Sequence, residues 1–450
     1  MNITCRLRIG RLKITTYCFI LFSSILMSCS TYEKSSIVNS YFVNNIGIYS
    51  LDNDTVSKAI LEKLAREKLV GFKQLDSIPQ SSNIDSYSIS LHQPSKDFTP
   101  PDLSSLAYFA RDLSDKEKLA LQNYKNVISF TFKGETKDVY NKQKRINNFV
   151  NELVKNKNVV VADINSYEWF NSKSWNEKRV ENFIGSDKDI VHQISIHFYR
   201  ESEFCRGVTM GMEKFGLPDL SIKAFTCSDQ NTYNNLINAA IQTLAEKPFI
   251  LEDSTLVIDL RLIKNDVVRN ELRANLKQNA KEKAVIKLQS VEPEEGDNIN
   301  KQFMISFRDP NYANQQEEQN FLVANLFGAK DSITHITHDS LIIITSEKAR
   351  QRLPELKTLF NKGLAPGYSI LVKAPFKTDN DSNEWMWVEI TKWTSRSLSG
   401  VLQNNPFEIK NLKAGALVEI DEADIFDYIL NKPDGSSEGN ETGKIIGNKR

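Results

Sequence analysis

Trp385, Trp387 and Trp393 fall in one short segment, EWMWVEITKW, with Glu389 and Thr391 between them. Their spacing puts all five on one side of a β-strand, where alternate residues share a face. Aromatic rings around a carboxylate are what a carbohydrate or peptide binder presents. Trp385, Trp387, Glu389 and Trp393 are therefore a candidate binding face. The same pattern also suits large aromatics that fill a small β core or sit covered by a preceding domain. Four acids of the same region, Glu384, Glu389, Asp424 and Asp427, could supply a general acid/base pair, although solvated surface carboxylates are the plainer reading. Glu168, Trp169, Trp175 and Arg179 form a second polar–aromatic cluster that reads as a surface or a buried ion pair rather than an active site.

Metal and nucleotide chemistry find little support. His335 and His338, with Asp331 and Asp339 nearby, have the spacing that places two imidazoles on one helix face. The string ITHITHDSLIII reads instead as turn and strand, which points them apart. His192 and His197 are five apart on a strand and also diverge. No HExxH, Walker, GxSxG or SxxK pattern occurs, so no metal or cofactor is expected. The segment TMGMEKFGLPDL, with Gly211 and Gly216 inside it and Gly207 just ahead, lacks dinucleotide-loop spacing. It reads as a tight connection between two strands, with a functional loop as the alternative.

The compartment is written in the first 29 residues. Arg6, Arg8, Arg11 and Lys13 precede an uncharged run from Ile14 to Met27, and Leu26-Met27-Ser28-Cys29 closes it. This is the layout of a secretory signal, and its cysteine end resembles a lipoprotein signal in which Cys29 is lipidated. The apolar run is shorter than the roughly 20 residues a membrane span needs. By resemblance to lipoprotein sorting signals, Ser30 after the cysteine implies an outer-membrane, periplasm-facing anchor. The chain has 57 basic and 57 acidic residues, and four of the basic ones belong to the signal, so the remainder carries a slight acidic excess. That excludes the basic footprint of a nucleic-acid binder. Beyond the signal and Cys29 only Cys205 and Cys227 remain. In an oxidising compartment they can form a disulfide, worth roughly 3 kcal/mol for a loop of about 23 residues. Two buried thiols are the alternative.

The elements that must position these residues divide the chain into a signal (1–28), a polar tether (29–40), an α/β domain (41–250), a split α/β domain (251–365) and a mostly-β domain (366–450). The fold class expected is α+β: two α/β-type domains with mixed sheets, then a small C-terminal curved sheet or open barrel. In the first domain, VVVADI (159–164) reads as a buried strand, Ser114 to Glu117 as a capping box, and Ser228 as the cap of a helix over 230–245. In the second, LIIIT (341–345) reads as a strand, and Pro354 must segment the helix that follows. In the third, ADIFDYIL (423–430) reads as a short helical piece and the last residues as a frayed end.

VKAPF, EWMWVEITKW, SGVLQNNP, IKNLKAGALVEI, DIFDYI and GNETG, in that order over about residues 366–445, resemble the bacterial domain-of-unknown-function family 2314. EEGDNIN (294–300) and NLFGAKD (325–331) are similar to the region that precedes this domain in longer members. SYEWF with TMGMEKFGLPDL resembles another uncharacterised bacterial domain. The resemblance implies no activity and assigns no catalytic residue. The expected function is a lipid-anchored envelope protein acting as a non-enzymatic binding module toward an envelope protein or polymer. A carboxylate-based hydrolase or transferase and a toxin-neutralising or stress-related protein are the alternatives.

Overall fold

The computed structural model describes residues 34–53, 58–79, 84–183, 188–251, 253–274, 276–312, 314–328, 340–379 and 382–448. Cys29, Asp331, His335, His338 and Asp339 lie outside them. Every residue of the apolar run Val159–Asp163 is buried, because the strand it forms sits between two layers. Val159 and Val161 face a core with Ile46, Ile48, Phe130, Phe132 and the helices Lys58–Lys68 and Val139–Val154. Val160 and Ala162 face a second core with Tyr49, Leu106, Leu121 and Trp169. The helix Asp115–Leu121 on that second side starts from the expected capping box, Ser114 with Glu117. The strand belongs to a six-stranded sheet in the order Lys73–Gln74, Ser86–His92, Asn126–Glu135, Tyr41–Ser50, Val159–Asp163, Glu168–Asn171.

A second six-stranded sheet runs Thr255–Asp259, Lys283–Val291, Gln302–Ser306, Asp219–Phe225, Phe204–Met210, Ser195–Glu201. Its pairs are antiparallel except one. Asp219–Phe225 and Gln302–Ser306 run parallel, with Asp219 opposite Gln302. Strands from either side of the expected 250/251 boundary thus share one sheet, stitched by that parallel pair. The helix Gln230–Glu246 covers one face through Leu236, Ile237, Ala240, Ile241 and Leu244, all fully buried.

The C-terminal sheet has six antiparallel strands in the order Leu417–Asp421, Ser397–Leu402, Asn383–Trp393, Ser369–Lys377, Asp427–Asn431, Ser437–Gly439. It stays open rather than closing into a barrel. Two helices, Ser340–Gln351 and Leu353–Asn361, lie on its apolar face, with Pro354 in the first turn of the second. Proline is tolerated there because the amide it lacks has no intrahelical partner.

Three expectations for this region are corrected. Residues 341–345 are helical, not a strand. The β-branched run suggested extended backbone, but only Ile342 of it is buried, while Leu341, Ile343 and Ile344 are about half exposed. Ile342, Ser346, Ala349 and Leu353 supply a buried stripe at helical spacing. Residues 423–430 are not helical beyond one 3-10 turn, Glu422–Asp424; Asp427–Asn431 pairs with Ser369–Lys377 as a strand. Glu441–Asn448, within the stretch expected to fray, is a helix. Buried Asp427 holds its first turn, accepting from the Thr442 amide at 2.9 Å and the Thr442 hydroxyl at 2.5 Å. A carboxylate at a helix N-terminus also meets the positive end of the backbone dipole.

Candidate functional site

The tryptophans do not share a face. The strand Asn383–Trp393 carries a bulge between Ile390 and Lys392, which makes Thr391 an extra residue and reverses the parity beyond it. Trp393 therefore enters the core with Met386, Val388 and Ile390, and its indole N–H donates to Glu422 at 2.9 Å. Trp385 packs on Phe426 with ring centres 4.4 Å apart. Trp387 lies 5.7 Å from the Lys373 ammonium.

Glu389, at the centre of that face, has no solvent exposure. Its Oε1 accepts from Arg200 Nη2 at 3.0 Å and its Oε2 from the Ser228 amide at 2.8 Å, while the Ser228 hydroxyl donates to Gln403 at 3.1 Å. Burial raises the Glu389 carboxyl above its usual range, against the pull of those donors. Ser228 is thus a junction residue rather than the helix cap; Asp229 occupies the cap position without capping the helix, its side chain accepting from the Thr226 hydroxyl at 2.6 Å instead. Cys205 and Cys227 are joined by a disulfide with Cα atoms 5.1 Å apart. Arg200 is the cross-strand partner of Cys205, and Ser228 follows Cys227. The cystine therefore holds both groups that grip Glu389. Glu384 is likewise engaged, accepting from the Phe407 and Glu408 amides at 2.8 and 3.1 Å.

The connection carrying Gly211 and Gly216 has more chemistry. The strand Phe204–Met210 ends, a 3-10 turn spans Met212–Phe215, and the strand Asp219–Phe225 begins. Gly216 sits at φ +66°, where a Cβ would come within 2.1 Å of the Thr136 methyl, so glycine is required by both backbone and space. The turn drives Lys214 into the interior. Its Nζ reaches Asp163 Oδ2 and the Gln193 carbonyl, each at 2.6 Å. Arg179 approaches the same Asp163 oxygen at 3.1 Å through Nε and pairs with Glu168 through Nη2. The Glu168–Arg179 cluster is thus a buried ion pair. Burial alone would raise the Asp163 carboxyl, but the charges of Lys214 and Arg179 hold it below its usual range.

Asp219, on the far side of the same turn, has no cation. Burial pushes its carboxyl up to about 7, opposed by donors from Asn300 at 2.7 Å and Thr209 at 2.8 Å. Glu213, between them, is the one residue of the turn's acidic and basic set that reaches solvent. Burial raises its carboxyl, opposed first by a hydrogen bond from Asn165. It lines a cleft of about 610 Å³ between the Tyr41 end of the first sheet and the segment from Ser290 to Gln302. Glu213, Asn300 and Gln302 form its polar side, and Tyr41, Pro293 and Ile299 its apolar rim. A carboxyl raised by burial at the edge of a cleft marks a candidate functional site.

The histidines belong elsewhere. His192 is clamped by Asp189 at 2.8 Å and Glu271 at 3.1 Å. His197 is buried against Phe109, with Nε2 2.9 Å from the Ser195 hydroxyl. That hydroxyl also lies 2.5 Å from the Ser166 carbonyl, so its proton points away from the imidazole. Among the described residues, no three His, Cys, Asp or Glu side chains cluster as a metal site. Sequence reasoning singled out the turn but missed Asp163, Asn165, Asp297 and Gln302. The available signals were an aspartate closing the apolar run VVVAD and the acidic segment EEGDNIN.

No curated protein and no solved structure matches the chain. The family match starts about twenty residues ahead of the expected domain start and so takes in the helix Leu353–Asn361 as well as the sheet. Residues 346–446, the C-terminal region, match the family described as an uncharacterized protein conserved in bacteria, DUF2314.

Proposed function

We propose that this is a lipid-anchored protein of the bacterial cell envelope, tethered through Cys29 on the periplasmic side of the outer membrane, and that its folded part is a non-enzymatic binding module with its ligand site in the cleft at Glu213. The cystine carries the location. A buried structural disulfide persists in oxidising compartments and is rare in the cytosol, and Cys205–Cys227 is bonded at a point where it organises the Glu389 junction. The signal-like leader supplies the means of export. No described helix is long and apolar enough to cross a membrane, and this reading takes lipid on Cys29 as the anchor.

A site on the C-terminal aromatic face suits the reading less well, because Glu389 is already taken by Arg200 and Ser228 and Trp393 by the core. A carboxylate-based hydrolase or transferase is the second reading, favoured by Asp219 at about 7 close behind Glu213. Asp219, however, spends its oxygens on Asn300, Thr209 and the Met212 amide, behind the cleft wall. Growth with labelled palmitate tests the anchor. The full-length protein takes up label, and Cys29→Ser abolishes it; label that survives this change overturns the reading.

A further inference from the structure

The cleft has a chemical bias that its size alone does not give. Its volume of about 610 Å³ suits a small molecule. Both lysines along it already have partners. Lys133 lies 4.2 Å from the Tyr41 ring centre and 3.4 Å from the Pro79 carbonyl, and Lys301 lies 5.1 Å from the Phe303 ring centre. Glu213 is different. One carboxylate oxygen accepts from Asn165, and the other accepts no hydrogen bond within the protein. That second oxygen is not among the buried unpartnered atoms, so it is open to the solvent of the cleft.

A second, independent feature points the same way. Gln302 is 2 % exposed, and its Oε1 is buried with no donor. Its orientation is fixed, because its amide nitrogen donates to Asp297 Oδ2 at 3.3 Å. Asp297 is itself held by Arg206 Nη1 at 3.0 Å. Lys133 and Lys301 aside, the polar side presents an open carboxylate oxygen at Glu213 and, buried in the wall, an amide oxygen at Gln302 that no donor answers. The complement is a group with several N–H donors and positive charge, and a primary ammonium has three.

We propose that the cleft binds a small organic amine, with its ammonium held by the open oxygen of Glu213. This rests on the binding-module reading and names its ligand class. Such an amine could come from a polyamine, the N-terminus of a short peptide or an amino sugar. All three share the ammonium, and the test separates them.

The full-length protein in detergent micelles is titrated calorimetrically with putrescine, alanyl-alanine and glucosamine, and with the N-acetylated form of each. At least one amine should bind, and its acetylated form should bind about tenfold or more weakly, as expected when a charged hydrogen bond is lost. Glu213→Gln should weaken the same amine by a similar factor while the thermal midpoint holds. Gln302→Leu, which removes only the second acceptor, should weaken it less. No binding by any amine, equal binding of free and acetylated forms, or unchanged binding in Glu213→Gln overturns the proposal. An acetylated compound that binds better than its amine, and is displaced by Tyr41→Trp at the rim, would sink the amine assignment but leave the binding-module reading standing.

Discussion

Glu213 and Glu389 are both glutamates set at the edge or inside of the protein core, and they are used in opposite ways. Glu389 has both oxygens engaged, by Arg200 and by the Ser228 amide, and no exposure. It fastens the C-terminal sheet to the strand and turn that the cystine joins. Glu213 has one oxygen engaged and the other facing a cleft. Both carboxyls are raised by burial. The raised value alone does not tell a structural carboxylate from an available one; the count of donors does. A satisfied buried group is part of the fold, whereas a half-satisfied one beside a cleft retains capacity for a ligand.

The turn beneath Glu213 offers the strongest way to break that comparison. Asp163→Ala removes the shared acceptor of Lys214 and Arg179, both of which are almost fully buried. Stranding buried cations costs about 3–5 kcal/mol. Guanidinium unfolding should show that loss, and a loss below about 1 kcal/mol would mean the network is not closed as described. Replacing Cys205 and Cys227 together by serine should cost about 3 kcal/mol from loop entropy. It should also raise proteolysis near residue 228, since Arg200 and Ser228 lose their common tether; unchanged cleavage there would separate the cystine from the Glu389 junction.

Asp219 gives a pH test. Its folded carboxyl titrates near 7, well above the range of about 4 in an unfolded chain. The folded state keeps a proton that the unfolded state releases between those values. The stability from that proton is fully present below about pH 4 and is lost as pH rises through about 7, a change on the order of a few kcal/mol. Asp219→Asn should flatten this part of the profile. His192, raised chiefly by its hydrogen bond to Asp189 and further by Glu271, acts in the same direction at higher pH. Comparison with Asp219→Asn isolates the aspartate. Identical pH profiles for the two proteins would contradict a protonated, buried Asp219.

How much of this was legible depended on whether the information was local. The apolar run 159–163, the capping box at Ser114 and Glu117, and the helix break at Pro354 are short-range features, and each formed as its residues imply. The LIIIT segment misled because side-chain branching was read without knowing which side would be covered. The three tryptophans misled because a single inserted residue, Thr391, is invisible in an alternation pattern until the partner strand Ser397–Leu402 is known. The cleft was beyond reach altogether. It depends on Asp219 lying beside Gln302 in a parallel pair and on Asn165 reaching Glu213, contacts separated by 83 and 48 residues that no local pattern encodes.

The most direct test sets the two glutamates side by side: guanidinium unfolding of Glu213→Gln and Glu389→Gln in the full-length protein. Glu389→Gln should lose about 2 kcal/mol, because a charged pair and an amide bond are disturbed, and Glu213→Gln should change by no more than about 0.5 kcal/mol, because the surviving acceptor still meets Asn165. Equal losses, or the larger loss at Glu213, would show that Glu213 is structural and that its open oxygen is not held in reserve for a ligand.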